Sequence, residues 1–327
     1  MRTFLALFIA LPLWAWAQEP QNALLWRIIS GEGGSPSYLL GTVHSRDARA
    51  YTAIQLAQAA MTATGAVFGE LDMDATGQAK STLASHAMMT GGQSLKDLYS
   101  PRRYKRVEKA LRAKVGPLFM MLTHMKPILL CAMLTEESMG KDSSLVLDDY
   151  LQTRAKELGL RTGGIETIAE QLAAMDALPL KEQADLLYET VRANGHDRDM
   201  DRLLDAYAKQ DLVAIAALMK DGGMSATFSR SLLTDRNSVM AQRIDSLMMD
   251  APALFAIGAA HLPGEDGVLA LLRGKGHLVA PVDTASMPDA GGLDIPAPEL
   301  PPPPPTASEI ERNGSLPRPP PPLIVPK

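Results

Sequence analysis

Residues 37–44 read SYLLGTVH, and residues 253–261 read ALFAIGAAH. In each stretch an apolar run of strand character leads directly into a Gly-x-x-His segment, which ends at His44 in the first and at His261 in the second. A helical pattern and then another strand pattern follow both stretches, and such alternation is typical of an α/β fold. Ligands of open α/β sheets bind at the carboxyl ends of the strands. The two stretches therefore predict both the fold class and the location of a site.

The other predicted strands are short runs rich in apolar residues. With the two runs already quoted, the predicted strands cover residues 24–29, 37–40, 65–71, 160–165, 253–258 and 276–282. The first two are joined by the Gly-rich segment 30–36 and predict a β-hairpin. The third ends near Glu70, and the fourth leads directly to Glu166.

The middle of the chain is mainly helical in pattern. The predicted helices cover residues 51–64, 80–89, 101–114, 126–137, 144–158, 168–178, 180–193, 199–209, 235–249 and 264–273. Thr234 or Asp235 is the predicted N-cap of the helix that begins there. We therefore expect one α/β domain over residues 18–283. Its sheet takes strands from both ends of the chain, and a large helical insertion, about residues 75–250, covers the site.

The composition is that of a globular protein. Of 327 residues, 46% are hydrophobic and 21% are charged, and the formal net charge is −5. Acidic and basic residues are interspersed, which argues against a nucleic-acid-binding face and against a polybasic membrane patch.

The first residues predict a targeting segment. Residues 1–17 begin with a positive charge at Arg2, continue with an apolar run and end in AWA, so they predict a signal peptide cleaved before Gln18. The alternative is an uncleaved anchor, but the apolar run, residues 4–13, is short for a membrane span. No later segment predicts a stable span. We expect a periplasmic or secreted bacterial protein.

The composition changes after about residue 283. Residues 301–305 and 319–322 are runs of Pro. The segment 284–327 therefore predicts a disordered or polyproline II tail that forms no core. Such a tail is either a passive spacer or a docking segment for a partner in the cell envelope.

Two His and two Glu side chains follow predicted strands and could converge on one ligand: His44, His261, Glu70 and Glu166. Neutral imidazole and carboxylate are normal ligands of a divalent metal ion. Such an ion can activate water or polarise a carbonyl group, and a Glu that is not a ligand can act as a general base. A single His after a strand also fits a hydrogen-bonded structural residue, so the spacing alone leaves both interpretations open.

Six motifs occur in order along the chain. They are YLLGTVH at 38–44, FGELD at 68–72, LDDYL at 147–151, GIET at 164–167, DRN at 235–237 and FAIGAAHL at 255–262. Together they resemble the TraB/GumN family, which includes the Tiki metalloproteases and is related in fold to the erythromycin esterases. The resemblance covers about residues 24–283. One position departs from the family pattern, because residue 260 is Ala where Gly is expected, and a left-handed backbone would be strained there.

The resemblance implies an α/β fold of the erythromycin esterase/TraB type around a metal-dependent hydrolase site. His44, Glu70 and His261 fall on the family's metal-site positions. The cofactor implied is a divalent metal ion such as Mn, Co or Zn. The substrate implied is a peptide or a small molecule with an amide or ester bond.

Three further residues are candidates for the catalytic machinery. Glu166 is a ligand, a base or a structural residue beside the next helix start. Arg236 clamps a substrate carboxylate or an oxyanion, or else it forms an ion pair with a site carboxylate. Asn237 would support Arg236 by hydrogen bonding, and Asp72 is predicted to be a turn residue. The rival interpretation is a protein that binds a metal or a metal-containing ligand with the same residues and without turnover.

Sulfur-containing residues offer weaker signals. Cys131 is the single cysteine, which excludes an internal disulfide, and its apolar surroundings predict a buried small hydrophobic residue rather than a catalytic thiol. The chain also has 18 Met, and two of its six His, His86 and His124, lie beside Met residues. These predict flexible core filling, an apolar groove or a Cu(I) site.

Overall fold

The computed structural model describes residues 22–74, 82–83, 85–136, 142–143, 145–193, 198–221 and 225–282. The strands are β1 (Leu25–Ile29), β2 (Ser37–Thr42), β3 (Ala66–Gly69), β4 (Arg161–Gly164), β5 (Leu254–Gly258) and β6 (Leu278–Pro281). They form one six-stranded sheet in the order β4-β3-β5-β2-β1-β6. The α/β class and the predicted strands are confirmed.

Strand β1 runs antiparallel to both of its neighbours, β2 and β6, whereas β2, β5, β3 and β4 pair in parallel. The predicted β1–β2 hairpin is confirmed, with Leu25 opposite Leu40. Strand β4 comes from inside the interval predicted as a helical insertion, so the sheet is not built from the chain ends alone. Strands β5 and β6 are consecutive in sequence but are separated in the sheet by β2 and β1.

Residues 82–83 and 85–86 are helical, and thirteen further α-helices have defined bounds. They are α1 (Ile54–Ala63), α2 (Leu95–Leu98), α3 (Pro101–Val115), α4 (Phe119–Leu122), α5 (Pro127–Glu136), α6 (Leu147–Glu157), α7 (Ile168–Asp176), α8 (Leu180–Arg192), α9 (Arg198–Ala208), α10 (Leu212–Asp221), α11 (Ala226–Ser229), α12 (Asp235–Asp250) and α13 (Val268–Gly274). The predicted helix over residues 80–89 lies partly outside the described residues. Helices α2, α4, α10 and α11 were not predicted.

The prediction of an N-cap at Thr234 or Asp235 is wrong. A π-helical turn, Arg230–Thr234, joins α11 to α12, and Thr234 has helical angles of φ −59° and ψ −48°. Thr234 makes no side-chain cap hydrogen bond. The preceding helical turn already supplies the backbone acceptors that a cap would replace. Arg236 therefore lies directly after a local irregularity in a continuous helical segment.

Two apolar cores support this architecture. In β2 all six residues are buried, and since alternate residues face opposite sides of a sheet, both faces of the central strand are covered. Within this first core Phe68 of β3 stacks on Phe255 of β5 with ring centroids 5.7 Å apart. The second core lies among the helices α3, α5 and α8 and includes Leu111, Leu130 and Leu187.

Cys131 belongs to the second core. Burial raises the pKa of its thiol to about 12, although Thr190 donates a hydrogen bond to its sulfur. The thiolate is the reactive form of cysteine, so Cys131 is unreactive near neutral pH. The prediction of a buried hydrophobic residue is confirmed.

The predicted signal peptide, residues 1–17, and the predicted Pro-rich tail, residues 284–327, both lie outside the described residues. Within the described part of the chain, no helix has the length and apolar character that a membrane crossing requires.

Candidate functional site

The carboxyl ends of β2, β5 and β3 lie side by side at one edge of the sheet. Thr42, the last residue of β2, is paired with Gly258, the last residue of β5. His44 follows shortly after β2, His261 follows shortly after β5, and Glu70 follows β3 directly. Parallel pairing therefore brings three residues predicted for the site to the same edge, where ligands of such sheets bind.

The Gly residues of the two Gly-x-x-His segments permit close approach rather than a sharp turn. Gly41 lies inside β2, and a Cβ there would be 2.7 Å from Leu262 Cδ1 and 3.1 Å from Ala259 Cα. At Gly258 a Cβ would be 3.1 Å from Glu70 Oε1, which accepts a 2.7 Å hydrogen bond from the Gly258 N–H. Gly41 lies within the strand and does not turn the chain. Both remain necessary for packing at the strand ends.

Ala260, where the family pattern has Gly, causes no backbone strain. Ala259–His261 form one 3-10 turn after β5. Apart from Gly residues, only Gln210 among the described residues has a positive φ. The expected left-handed conformation is therefore absent at Ala260, and Ala is accommodated in a right-handed turn.

Arg236, in the first turn of α12, joins two carboxylates. Its Nη2 atom donates to Glu70 Oε2 at 2.8 Å and to Glu166 Oε2 at 2.6 Å. The exposed fractions of the side chains are 12% for Arg236, 22% for Glu70 and 2% for Glu166. Burial opposes the charge of Arg236, but the hydrogen bonds and charges of Glu166 and Glu70 raise its pKa above the ordinary value. Arg236 is thus a permanent cation that compensates two carboxylates in a mostly buried position.

The carboxylate of Glu70 is held from three sides. Its Oε1 atom accepts from the Gly258 N–H at 2.7 Å. Its Oε2 atom accepts from Gln171 Nε2 at 2.9 Å and from Arg236 at 2.8 Å. Arg236 is itself held by Leu232, whose carbonyl oxygen in the π turn accepts from Nη1 at 3.1 Å. These contacts give the Glu70 side chain one defined orientation.

His261 is buried and uncharged. Burial lowers its pKa to about 4; the charge of Glu70 opposes this shift and that of Arg236 adds to it. The Nδ1 atom lies 2.6 Å from Asn237 Oδ1, while Asn237 Nδ2 donates to the Asp266 carbonyl oxygen at 2.8 Å. Because the Asn237 oxygen can only accept, Nδ1 carries the ring proton and Nε2 has a lone pair. That Nε2 atom is 3.7 Å from Glu70 Oε1.

His44 lies beside a carboxylate to which the sequence assigned no role. Its Nδ1 atom is 3.7 Å from Oδ2 of Asp148 in α6, and its side chain is 60% exposed. Thr42 Oγ1 donates to Asp148 Oδ1 at 2.7 Å. Asp148 Oδ2 is buried and accepts no hydrogen bond from the described residues. Both Gly-x-x-His histidines thus lie 3.7 Å from a carboxylate oxygen.

The nitrogen and oxygen atoms at this edge are of the types that bind a divalent metal ion. His261 presents an unprotonated nitrogen toward a carboxylate, and a carbonyl oxygen fixes its other nitrogen, as is usual for metal-bound histidine. Within the described ranges, however, no group of three or more His, Cys, Asp or Glu side chains is placed to hold a metal ion. The structure brings Glu70 and His261 together as a pair of donors and places His44 with Asp148.

The other predicted site residues have definite partners. Arg236 forms the ion pair that was one of its two predicted roles. The helix after Glu166 is capped by Thr167 and Glu170, so Glu166 is not a cap, and its carboxylate is bound by Arg236 instead. Asn237 supports His261 rather than Arg236, which corrects its predicted partner.

Asp148 and Gln171 are the residues that the sequence did not single out. Asp148 lies in the first turn of α6, where an acidic residue is already favourable to the helix, so its position alone gave no functional signal. Its contact with Thr42 spans 106 residues of sequence. Asp148 lies in the motif LDDYL, residues 147–151, and Gln171 lies in the predicted helix over residues 168–178, but the partners of both are visible only in the fold.

The Met-adjacent histidines have backbone partners. His86 Nδ1 lies 3.0 Å from the Thr82 carbonyl oxygen, and His124 Nδ1 lies 2.8 Å from that of Gln93. Met61, Met89 and Met240 are buried, as core filling predicts, whereas Met120 and Met121 are exposed. A Cu(I) site remains a prediction.

We expect the protein to lose stability as the pH falls from about 6.5 to about 4, because His261 is neutral in the folded state. The unfolded chain binds a proton first, since its histidine keeps the ordinary value of 6.5. Above pH 6.5 His261 is neutral in both the folded and the unfolded state, so it adds no pH dependence to the free energy of unfolding. Below about pH 4 it is protonated in both states, so the loss of stability is complete. The full loss is about 3 kcal/mol, since one pKa unit corresponds to about 1.4 kcal/mol.

Urea unfolding between about pH 4 and pH 7 measures this dependence. A His261→Gln variant keeps a polar side chain that does not titrate, and its stability should fall less steeply over that interval. Equal slopes for the two proteins would contradict the assignment of a neutral, buried His261.

Comparisons with known proteins agree with the family resemblance. The sequence profile described as the TraB/PrgY/gumN family matches residues 24–281. Among curated proteins, the chain is 26% identical over 319 residues to metalloprotease TIKI1 of Danio rerio, covering 80% of this chain and 63% of that protein. It is 26% identical over 326 residues to metalloprotease TIKI2 of Danio rerio, covering 80% and 61%. It is 25% identical over 319 residues to human metalloprotease TIKI1, covering 80% and 62%.

These matches cover less than two thirds of the length of the relatives. No solved structure matches the chain, so the likeness in fold to erythromycin esterases stays a prediction.

Proposed function

Because the chain belongs to the TraB/PrgY/gumN family, we propose that it is an exported, metal-dependent hydrolase that cleaves a peptide, amide or ester bond. The observation that carries this proposal is the pair of His261 and Glu70, in which an unprotonated ring nitrogen lies 3.7 Å from a carboxylate oxygen. Two such donors at one strand edge are suited to a divalent cation. The relatives named metalloproteases support a peptidase activity.

His261 and Glu70 would hold the metal, and His44 would complete the ligand set. The side chain of His44 is 60% exposed, and its Nδ1 atom lies 3.7 Å from Asp148 Oδ2. When bound, a Mn, Co or Zn ion would activate a water molecule or polarise the scissile carbonyl group. Asp148 would accept a hydrogen bond from His44 and orient its ring, as carboxylates behind metal-bound histidines do.

The remaining residues would control protons and orientation. Asn237 keeps the proton of His261 on Nδ1 and the lone pair on Nε2. Arg236 and Gln171 orient Glu70, whose one remaining acceptor site would bind the metal ion or, in place of that, accept a proton from the attacking water. Glu166 is 2% exposed in its side chain, so we assign it the positioning of Arg236 and not contact with substrate.

Export is part of the proposal and rests on the sequence of residues 1–17. Hydrolysis would then take place in the bacterial periplasm or outside the cell. The Pro-rich segment 284–327 would link the enzyme to an envelope partner or act as a spacer. The substrate would be a peptide or a small molecule that reaches this compartment.

One observation favours a second candidate, a metal-binding protein of the same fold without turnover. The two oxygens of Glu70 already accept three hydrogen bonds from Gly258, Gln171 and Arg236. With three of its about four acceptor sites occupied, this carboxylate has one site left, which can bind a metal ion but cannot then also take the proton of an attacking water.

Removal of divalent metal from the purified mature protein is expected to abolish hydrolysis of a panel of peptides, amides and esters. Re-addition of Mn²⁺, Co²⁺ or Zn²⁺, one at a time, should restore it for at least one ion. Metal analysis of wild type beside His44→Ala and His261→Ala identifies the bound ion, and circular dichroism of the apoprotein confirms that it stays folded. Tight metal uptake without hydrolysis would support the second candidate. Hydrolysis that survives both a strong chelator and His44→Ala would exclude the first.

A further inference from the structure

Helix α3 has a charge asymmetry that the composition of the whole chain conceals. Its sequence, PRRYKRVEKALRAKV, contains seven cations and one carboxylate, whereas the formal net charge of the chain is −5. Val107 and Leu111 are fully buried and fix the inner face of the helix in the second core. The expectation that the protein has no polybasic patch does not hold for this helix.

Four of these cations lie in a row on the outer face of α3. Arg102, Lys105, Arg106 and Lys109 are exposed, and their spacing of three and four residues places them on one side of the helix. In this helix Arg103 pairs with Asp185 and Arg112 pairs with Glu108. None of these four exposed residues forms an ion pair with another described residue. We call these four residues the basic stripe.

An apolar tip follows the basic stripe. Leu118, Met120 and Met121 lie in the turn after α3 and in α4, and they are 59%, 64% and 69% exposed; we call these three residues the apolar tip. Arg112, which continues the line of the stripe, lies 4.6 Å from the centroid of the Phe119 ring and donates to Met120 Sδ at 3.7 Å. The stripe and the tip are therefore parts of one continuous surface.

We propose that the basic stripe and the apolar tip dock the protein onto a membrane surface that contains anionic phospholipids. A row of Lys and Arg is attracted to the negative surface potential of such lipids. Leu and Met side chains beside that row can enter the boundary between headgroups and acyl chains. Side chains that are more than half exposed project from the surface. A peptide ligand would instead need a groove or pocket lined by such residues.

Vesicle co-sedimentation of the full chain tests the proposal. We expect binding to vesicles of phosphatidylcholine with phosphatidylserine and little binding to pure phosphatidylcholine. The variant Lys105→Gln, Arg106→Gln, Lys109→Gln should bind anionic vesicles about a hundredfold more weakly, at roughly fivefold for each cation. The variant Met120→Gln, Met121→Gln should lose about tenfold and keep its preference for anionic lipid.

The matched control changes three exposed cations elsewhere, Lys209→Gln, Lys220→Gln and Arg230→Gln, with the same change of net charge. It should bind like wild type, and all variants should keep the thermal midpoint of wild type. Absence of binding to anionic vesicles would overturn the proposal, as would an equal loss in the control variant. Binding to an acidic peptide in place of vesicles would also overturn it and would assign the surface to a protein partner.

Discussion

Replacing Arg236 by methionine is expected to lower the free energy of unfolding by about 3–5 kcal/mol, because it leaves two carboxylates close together without their cation. Arg236 donates to both Glu70 and Glu166, at 2.8 Å and 2.6 Å. Methionine keeps much of the aliphatic stem, so most of the expected loss is electrostatic rather than a loss of packing. Urea unfolding at neutral pH measures the change.

Arg243, seven residues after Arg236 in α12, gives a matched control. It also pairs with a glutamate, Glu170, at 2.6 Å, but the two side chains are 38% and 41% exposed. Water screens such a pair, so Arg243→Met should cost no more than about 1 kcal/mol. The contrast between the two variants separates the effect of burial from the effect of losing an Arg–Glu contact.

A second change tests the cause of the loss. If uncompensated charge is responsible, Glu166→Gln in the Arg236→Met background should recover part of the stability, since it removes one of the two buried negative charges. The same Glu166→Gln change in the wild-type background should destabilise. A double variant no more stable than Arg236→Met alone would mean that packing, not charge, is what Arg236 contributes.

Apart from β4, which reads RTGG, each strand is a short apolar run with sharp boundaries, and this is why the sequence predicted these strands well. Such a run predicts where a strand begins and ends but not its neighbours in the sheet. Strand β5 lies between β3 and β2, and this order depends on contacts between distant segments such as Phe68 and Phe255. Strand β4 was correctly predicted as a strand, but it lies inside an insertion that was expected to be helical.

The structure brings the predicted residues Glu70, Arg236 and His261 together, but the sequence predicted only part of their contacts. Local rules assigned a cap to Thr234 because Thr often begins a helix, but the π turn before it continues the helical backbone. Arg236 had two predicted roles, and only the positions of Glu70 and Glu166 could decide between them. Asp148 escaped notice because an acidic residue in a first helical turn has a sufficient local explanation.

Replacing Glu70 by glutamine is expected to lower kcat/KM for the cleaved substrate by a factor of about 10² to 10⁴. Glutamine has the same shape, and its amide oxygen can still accept from the Gly258 N–H or from Arg236. The fold should therefore persist, which a thermal unfolding midpoint near that of wild type would confirm. Asp72→Asn, two residues further along, is the control, because the Asp72 carboxylate accepts from the Asp74 N–H within its own turn. It should leave the rate unchanged.

Metal content of the same variant decides which role Glu70 has. If Glu70 is mainly a ligand, Glu70→Gln should lose both metal and activity, as His261→Gln should. If Glu70 is mainly the base, the variant should keep its metal and lose only the rate, since His44 and His261 would still bind the ion. Three of the about four acceptor sites on Glu70 already accept hydrogen bonds. One site is left for a metal ion, so we expect the first pattern. A Glu70→Gln protein with full metal content and full activity would remove Glu70 from the site altogether.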